Sequence, residues 1–171
     1  IETLQRNPVW GLDRIDNTKT KDGVYNTGNV DGAGVDVYVI DTGVNVAHTE
    51  YVSRLKGGKN FASGSGTGAA YGDCNGHGTH CAGTVLGKTY GVAKQASLWG
   101  VRVLGCSGSG SNSGILRGVD WAVGNGKRER RPYVLSMSLG GGKSTSSNNA
   151  VAGAKRAGAT VVVAAGNENT N

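Results

Sequence analysis

The stretch GVDVYVIDTGVN, residues 34–45, decides the fold class, because an apolar run rich in Val stops at an acidic residue, Asp41. Such a run predicts a buried β-strand. Three similar runs follow it along the chain: ASLWGVRVL (96–104), YVLSMSLG (133–140) and ATVVVAAG (159–166). They are continuously apolar rather than alternating, which is typical of strands that are buried on both faces of a sheet.

Helical patterns separate these runs. They cover HGTHCAGTVLGK (77–88), SGILRGVDWAVGNG (113–126) and SSNNAVAGAKRAG (146–158). Alternation of strands and helices predicts an α/β fold with a parallel, twisted sheet, right-handed crossovers and helices on both faces. In such sheets the functional groups gather at the carboxyl ends of the strands, so we expect the site at that edge.

The size and composition of the chain limit the number of domains and the kinds of partner that we expect. The chain has 171 residues, of which 37% are hydrophobic, and these values predict one domain with a sizeable core. We expect no membrane partner, because no apolar stretch approaches the roughly 18 residues of a membrane span. The sequence also begins without a signal-peptide pattern, so any targeting segment is expected to have been removed already. The net charge is +6, but the basic run GKRERRP (126–132) is short, so we expect a solvated loop and no nucleic-acid partner.

Three polar residues stand where catalytic groups are expected. Asp41 and Asn167 each follow an apolar run, and His77 lies between two glycines at the start of a helical pattern. Taken singly, a turn Asp, a helix-cap His and a turn Asn are plain alternatives. Taken together, they form a hypothesis in which Asp41 orients His77, His77 removes a proton, and Asn167 stabilises an oxyanion.

That chemistry needs a nucleophile, which the sequence does not supply in a recognisable motif. Neither Gly-x-Ser-x-Gly nor Gly-Thr-Ser occurs in the chain. Cys81 follows His77 by four residues in the same helical pattern, so we interpret it as a core residue. A metal pair of His77 and His80 is disfavoured, because the usual spacing is i,i+4 with an intervening Glu.

The three cysteines allow one disulfide and one free thiol, or no disulfide. Cys81 lies in a helical pattern, which favours it as the free thiol, whereas Cys74 and Cys106 lie in loops rich in Gly and Ser. A bridge between those two would close a loop of about 32 residues and stabilise the fold by roughly 3–4 kcal/mol in the chain-entropy model. It would also imply an oxidising compartment. Zinc ligation is less favoured, because no CxxC pair is present.

Several motifs, in order and at plausible spacing, resemble the subtilisin-like serine proteases, and most of all their proteinase K branch. The motifs are VIDTGVN (39–45), NGHGTHCAGT (75–84), YGVAK (90–94), GVRVL (100–104), SMSLGGG (136–142) and VAAGN (163–167). The resemblance implies that the protein is a secreted serine endopeptidase acting on polypeptides. It assigns Asp41 as the triad acid, His77 as the general base and Asn167 as the oxyanion-hole side chain.

The resemblance also implies binding residues. Two backbone edges would clamp an extended substrate and a third segment would wall the specificity pocket: Gly108, Ser109, Gly110; Ser138, Leu139, Gly140; and Ala164, Ala165, Gly166. It implies a Cys74–Cys106 disulfide with Cys81 as a buried free thiol. WGLDRIDN (10–17) resembles an N-terminal calcium site, with Asp13, Asp16, Asn17 and Asp22 as its ligands, although plain cap and turn roles are the alternative.

The family continues past residue 171 and carries its nucleophile in a Gly-Thr-Ser motif. We therefore interpret residues 1–171 as the N-terminal part of one subtilisin-like peptidase domain, nicked or truncated near its end. A C-terminal fragment carrying the Ser is the expected partner, and a propeptide or protein inhibitor is another possible one. We expect the segment alone to be inactive and the fold to be incomplete without that part.

Two other functions are alternatives to this one. The first is an inactive protease-like scaffold that binds partners, although such a scaffold needs none of Asp41, His77 and Asn167. The second is an aspartic protease built around the Asp-Thr-Gly at Asp41. It would need a homodimer, because two carboxylates must share a proton and only one Asp-Thr-Gly is present.

Overall fold

The computed structural model describes residues 4–16 and 20–169. Within these ranges the elements are β1 (Leu4–Arg6), α1 (Trp10–Ile15), β2 (Val24–Asn26), β3 (Asp36–Asp41), β4 (Leu55–Asn60), α2 (His77–Leu86), β5 (Ser97–Arg102), α3 (Asn112–Glu129), β6 (Tyr133–Met137), α4 (Thr145–Arg156) and β7 (Thr160–Val163). A 3-10 turn, Val52–Arg54, precedes β4. No helix in the described part of the chain is both long and apolar enough to span a membrane.

Five strands form a parallel sheet in the order β4-β5-β3-β6-β7, which confirms the predicted fold class. Sequence reasoning found four of these strands and placed the end of β3 correctly at Asp41. It placed the ends of the other three too late, since β5 stops at Arg102, β6 at Met137 and β7 at Val163. It missed β4, whose sequence LKGGKN carries no apolar run. The small antiparallel pair of β1 and β2 was also not anticipated.

Helices cover both faces of the sheet, and alternate residues of β3 supply the two cores. Tyr38 and Ile40 pack with residues of α3 and α4 on one face. Val37 and Val39 pack with Ala82 and other residues of α2 on the opposite face. All six residues of β3 are buried, because the strand has a neighbour on each side and a helix layer on each face.

The prediction of burial on both faces is wrong for β7. Its residues are mostly exposed, and Val162 and Val163 are 55% and 57% exposed. β7 lies at the edge of the sheet and pairs with β6 alone. An apolar run marks a strand, but burial depends on what surrounds the strand in three dimensions.

Serine caps and glycine turns set the helix ends that frame the site. Ser111 Oγ accepts the Gly114 N–H at 3.0 Å, and Ser144 Oγ accepts the Ser147 N–H at 3.2 Å, so each hydroxyl caps the helix that follows it. Gly158, with a φ of 98°, lies just beyond α4 in the left-handed region that glycine favours. Ser111 and Ser144 thus fix where α3 and α4 begin, and Gly158 turns the chain from the end of α4 toward β7.

Candidate active site

The candidate site begins where β3 ends, at Asp41. This residue is completely buried, and its Oδ1 lies 2.8 Å from Nδ1 of His77, the first residue of α2. The backbone N–H of Thr42 donates to the same oxygen at 2.6 Å. Since a carboxylate only accepts, Nδ1 carries the hydrogen in this pair, and Nε2 of the neutral ring is left as the basic nitrogen. The His77 side chain is 51% exposed, so this nitrogen is open to a reacting group.

Gly78 explains how α2 comes so close to β3. A Cβ at Gly78 would lie 2.1 Å from the Gly43 carbonyl oxygen and 3.1 Å from Cβ of Asp41. Only a residue without a side chain fits there. Gly78 thus lets the helix pack directly on the end of β3.

Asp73 is a polar residue of the site that sequence reasoning missed. Its Oδ1 accepts the Thr42 hydroxyl and the N–H groups of Asn75 and Gly76, each at 2.9 Å. Its Oδ2 accepts the N–H and hydroxyl of Thr79, at 3.0 and 2.6 Å. The available signal was an Asp a few residues before a helix start, which is typical of a capping carboxylate.

The pKa of Asp73 is set by opposing effects. Burial raises it, but the N–H of Gly76, both donors of Thr79 and the N–H of Asn75 together hold the pKa below the ordinary value of 3.8. The side chain is therefore ionised at neutral pH, and it keeps its acceptor role there.

A cleft of about 460 Å³ opens beside His77, and both predicted substrate edges line it. The lining residues are Thr42, Asn75, His77, Leu104, Gly108, Ser109, Gly110, Ile115, Ser138, Leu139 and Gly140. The loop after β5 forms one side of this cleft and the segment after β6 forms the other. The structure therefore brings together six of the nine residues that the resemblance assigned to substrate binding.

The segment after β7 lies next to this cleft but is not part of its lining. Ala164 lines an adjoining cavity of about 610 Å³ between α3, α4 and the end of β6, which shares Gly110, Ile115, Leu139 and Gly140 with the cleft. Ala165, Gly166 and Asn167 follow it and are exposed. The backbone N–H of Asn167 donates to the Glu168 carboxylate at 2.8 Å. The structure thus unites Asp41 and His77, and it does not place Asn167 among the residues that line the cleft of His77.

Cys74 and Cys106 form a disulfide, the pairing that the resemblance implied. It ties the segment before His77 to the loop that carries Gly108, and the Asn75 side chain adds a hydrogen bond to the Cys106 carbonyl at 2.9 Å.

Cys81 is free and partly buried, with Sγ 3.9 Å from Nδ1 of His77. Burial raises the pKa of the Cys81 thiol, a hydrogen bond with Ser138 lowers it, and the charge of Asp41 raises it further. The thiol is therefore kept protonated rather than nucleophilic.

Three of the four predicted calcium ligands lie in the described part of the chain, where their carboxylates accept backbone N–H groups. Asp13 accepts the N–H groups of Asp22 and Gly23, and Asp16 accepts that of Asn26. Asp22 itself accepts the N–H of Val24, and Asn17 lies outside the described residues. Among the residues described, only Asp41, His77 and Cys81 form a group of three His, Cys, Asp or Glu side chains with ligand atoms within 4.8 Å of one another. Calcium at the N-terminal segment stays a prediction, and no chemistry is assigned to it.

Comparison with known proteins identifies the family of this chain. The model of the subtilase family matches residues 32–171. Alkaline serine exoprotease A of Vibrio alginolyticus is 50% identical over 167 residues, which cover 98% of this chain and 30% of that protein. The extracellular serine proteinase of Thermus sp. (strain Rt41A) is 52% identical over 167 residues, which cover 97% of this chain and 39% of that protein.

A solved structure matches as well. The crystal structure of a cold-adapted subtilisin-like serine proteinase superposes with a TM-score of 0.86 at 51% identity, covering 95% of this chain and 57% of that one. The chain therefore spans well under two thirds of the length of these relatives. A family match over most of the chain, together with about 50% identity to serine proteases, shows that this chain belongs to the subtilase family.

Proposed function

We propose that this chain provides the acid and the base of a serine endopeptidase whose Ser nucleophile lies outside the 171 residues. One observation carries the proposal: a fully buried carboxylate, Asp41, accepts from Nδ1 of a half-exposed imidazole, His77, at 2.8 Å. In this arrangement a carboxylate fixes the tautomer and orientation of a general base. The serine protease relatives support the same reaction class.

The reaction follows from the free nitrogen of His77. Nε2 takes the proton of the serine hydroxyl as its oxygen attacks the peptide carbonyl carbon, and the carbonyl oxygen becomes an oxyanion. The imidazolium then gives the proton to the leaving amine, which leaves an acyl-enzyme. His77 then takes a proton from a water molecule, which attacks the acyl-enzyme and releases the carboxylic acid product. Asp41 stays ionised and stabilises the imidazolium throughout.

Asn167 is proposed to donate from its side-chain amide to the oxyanion. Support comes from the resemblance and from its position just beyond the carboxyl end of β7, on the same edge of the sheet as Asp41. Gly166, with a φ of 98°, turns the chain immediately before it. Ala164, Ala165 and Gly166 are proposed to wall the specificity pocket on the same grounds.

The substrate is proposed to be an extended polypeptide. The Gly108–Gly110 and Ser138–Gly140 segments line the cleft beside His77, and both lie outside regular strands. Exposed backbone of this kind can receive a peptide as an added strand, held by main-chain hydrogen bonds. The Cys74–Cys106 disulfide and the Thermus relative, which is named as extracellular, support secretion.

The test uses the full-length protein, with His77→Ala compared with His80→Ala. Both histidines lie in α2, but only His77 contacts Asp41. We expect His77→Ala to abolish peptide hydrolysis while inhibitor peptides still bind, and His80→Ala to retain turnover. Labelling with a serine-directed phosphonate should mark a residue outside this chain in the wild type. Persistent turnover in His77→Ala would refute the base assignment, and the absence of any adduct would favour an inactive scaffold.

A further inference from the structure

We propose that Asp73 is a positioning residue for the Asp41–His77 pair and that it acts through the hydroxyl of Thr42. The inference rests on the proposed peptidase function. Neither Asp73 nor Thr42 was a candidate from the sequence, and the structure joins them across 31 residues of chain.

The first step is the orientation of the Thr42 hydroxyl. An ionised carboxylate has no hydrogen to donate, so the 2.9 Å contact between Thr42 Oγ1 and Asp73 Oδ1 fixes the hydroxyl as the donor. The lone pairs of Oγ1 are then available on its other side. The backbone N–H of Gly78 donates to that oxygen at 2.9 Å, in a buried position.

The second step links Thr42 to both members of the pair. Its backbone N–H donates to Asp41 Oδ1 at 2.6 Å, the same oxygen that contacts His77. Its hydroxyl holds Gly78, the residue directly after His77. Thr42 is thus bonded to the acid on one side and to the backbone that carries the base on the other.

The third step is the anchoring of Asp73 itself. Its carboxylate receives the N–H groups of Asn75, Gly76 and Thr79 at the start of α2. One side chain therefore connects the turn after β3 to the first turn of α2, and these two segments must keep a fixed separation for Asp41 and His77 to touch. Catalysis is sensitive to this separation, because a displacement of about 1 Å can cost about 10²-fold in rate.

A purely structural role is the competing explanation. In that case Asp73 only caps α2, its removal lowers stability, and the folded protein that remains turns over normally. A positioning role differs in two ways: kcat falls while KM is nearly unchanged, and the loss depends on the Thr42 hydroxyl.

The experiment measures kcat, KM and melting temperature for Asp73→Ala, Thr42→Val, Thr42→Ser and the double variant Asp73→Ala/Thr42→Val of the full-length protein. Asp73→Ala is used because the amide oxygen of an asparagine could still accept the Thr42 hydroxyl. We expect Asp73→Ala and Thr42→Val each to lower kcat by about 10–100-fold with KM within about twofold. Thr42→Ser keeps the hydroxyl and should retain near wild-type kcat. The double variant should lose much less than the product of the single losses, since both changes break the same link. Asp120→Ala, which removes an exposed acid on α3, is the control for loss of a negative charge and should leave kcat unchanged.

Several results would overturn the proposal. Wild-type kcat in Asp73→Ala with a lowered melting temperature would show that Asp73 only caps the helix, and additive losses of kcat in the double variant would show that Asp73 does not act through Thr42. If Asp73→Ala does not fold, equal kcat in Thr42→Val and Thr42→Ser refutes the link. His77→Ala is measured alongside. If it retains turnover, the peptidase mechanism itself fails, whereas loss of turnover in His77→Ala with normal turnover in Asp73→Ala refutes the positioning role alone.

Discussion

The end of β3 and the end of β7 lie on the same edge of one sheet, yet they are built very differently. After β3, Asp41 is fully buried and bonded to both Thr42 and His77. After β7, residues 164–167 are exposed, and the Asn167 backbone N–H bonds to the adjacent Glu168. Contacts across the fold hold Asp41 and His77 in place, whereas the described residues do not hold Asn167, the proposed oxyanion donor, in this way.

The difference follows from the position of each strand. β3 has β5 and β6 as neighbours and helices on both faces, so the residues that follow it meet several segments at once. β7 has β6 alone as its neighbour. Preorganisation of a catalytic group requires packing that fixes its rotamer and its backbone. The pre-formed geometry therefore belongs to Asp41 and His77.

The largest effect is expected from removing the side-chain amide of Asn167, which tests whether the exposed segment after β7 supplies a catalytic group. In the full-length protein we expect Asn167→Leu to lower kcat by about 10²–10³-fold with little change in KM, because the oxyanion loses a donor; this magnitude is the loss known for removal of an oxyanion donor in a subtilisin. Asn169→Gly is the matched control, since it removes a nearby amide while glycine accepts the φ of 53° at that position. A kcat within threefold of wild type in Asn167→Leu would show that this residue is not the donor.

At the end of β3, Gly78→Ala should disturb the contact between Asp41 and His77. The new Cβ would lie 2.1 Å from the Gly43 carbonyl oxygen, so α2 or the turn after β3 must move. We expect kcat to fall by about 10–100-fold as His77 is displaced from Asp41. Gly83→Ala, in the same helix and with nothing within 4 Å of the added atom, is the control and should raise the melting temperature slightly through helix propensity. Equal kinetics for the two variants would show that close packing at Gly78 is not needed.

The smallest expected effect is a pH dependence at Asp73. Its pKa is lowered in the folded protein, so its contribution to stability is present above the ordinary value of 3.8 and is lost as the pH falls through the lowered value. The difference in melting temperature between wild type and Asp73→Asn should therefore be largest near neutral pH and shrink below about pH 4. Thermal scans at constant ionic strength would measure it. A difference that is independent of pH would contradict an ionised, hydrogen-bonded Asp73.

Local patterns predicted the sheet well where strands were apolar, and they failed where burial or hydrogen bonding decided the outcome. Apolar runs located β3, β5 and β6, but LKGGKN at β4 becomes a strand only because β5 offers it hydrogen-bonding partners. The apolar run of β7 predicted a strand correctly and its burial wrongly. The spacing of Asp13 and Asp16 left calcium binding and plain cap or turn roles both open, and only the structure shows which backbone N–H groups they accept.

The sequence by itself determined the fold class, the family and the expected pairing of Asp41 with His77, because strand and helix periodicity and contiguous motifs are local properties of the chain. Only the tertiary structure decided that Gly78 packs on Gly43, that Asp73 reaches Thr42, and that the end of β7 is exposed. Those contacts join residues about 30 or more positions apart, or depend on the neighbours of a strand. Their geometry is fixed by how the elements pack, which no short stretch of sequence records.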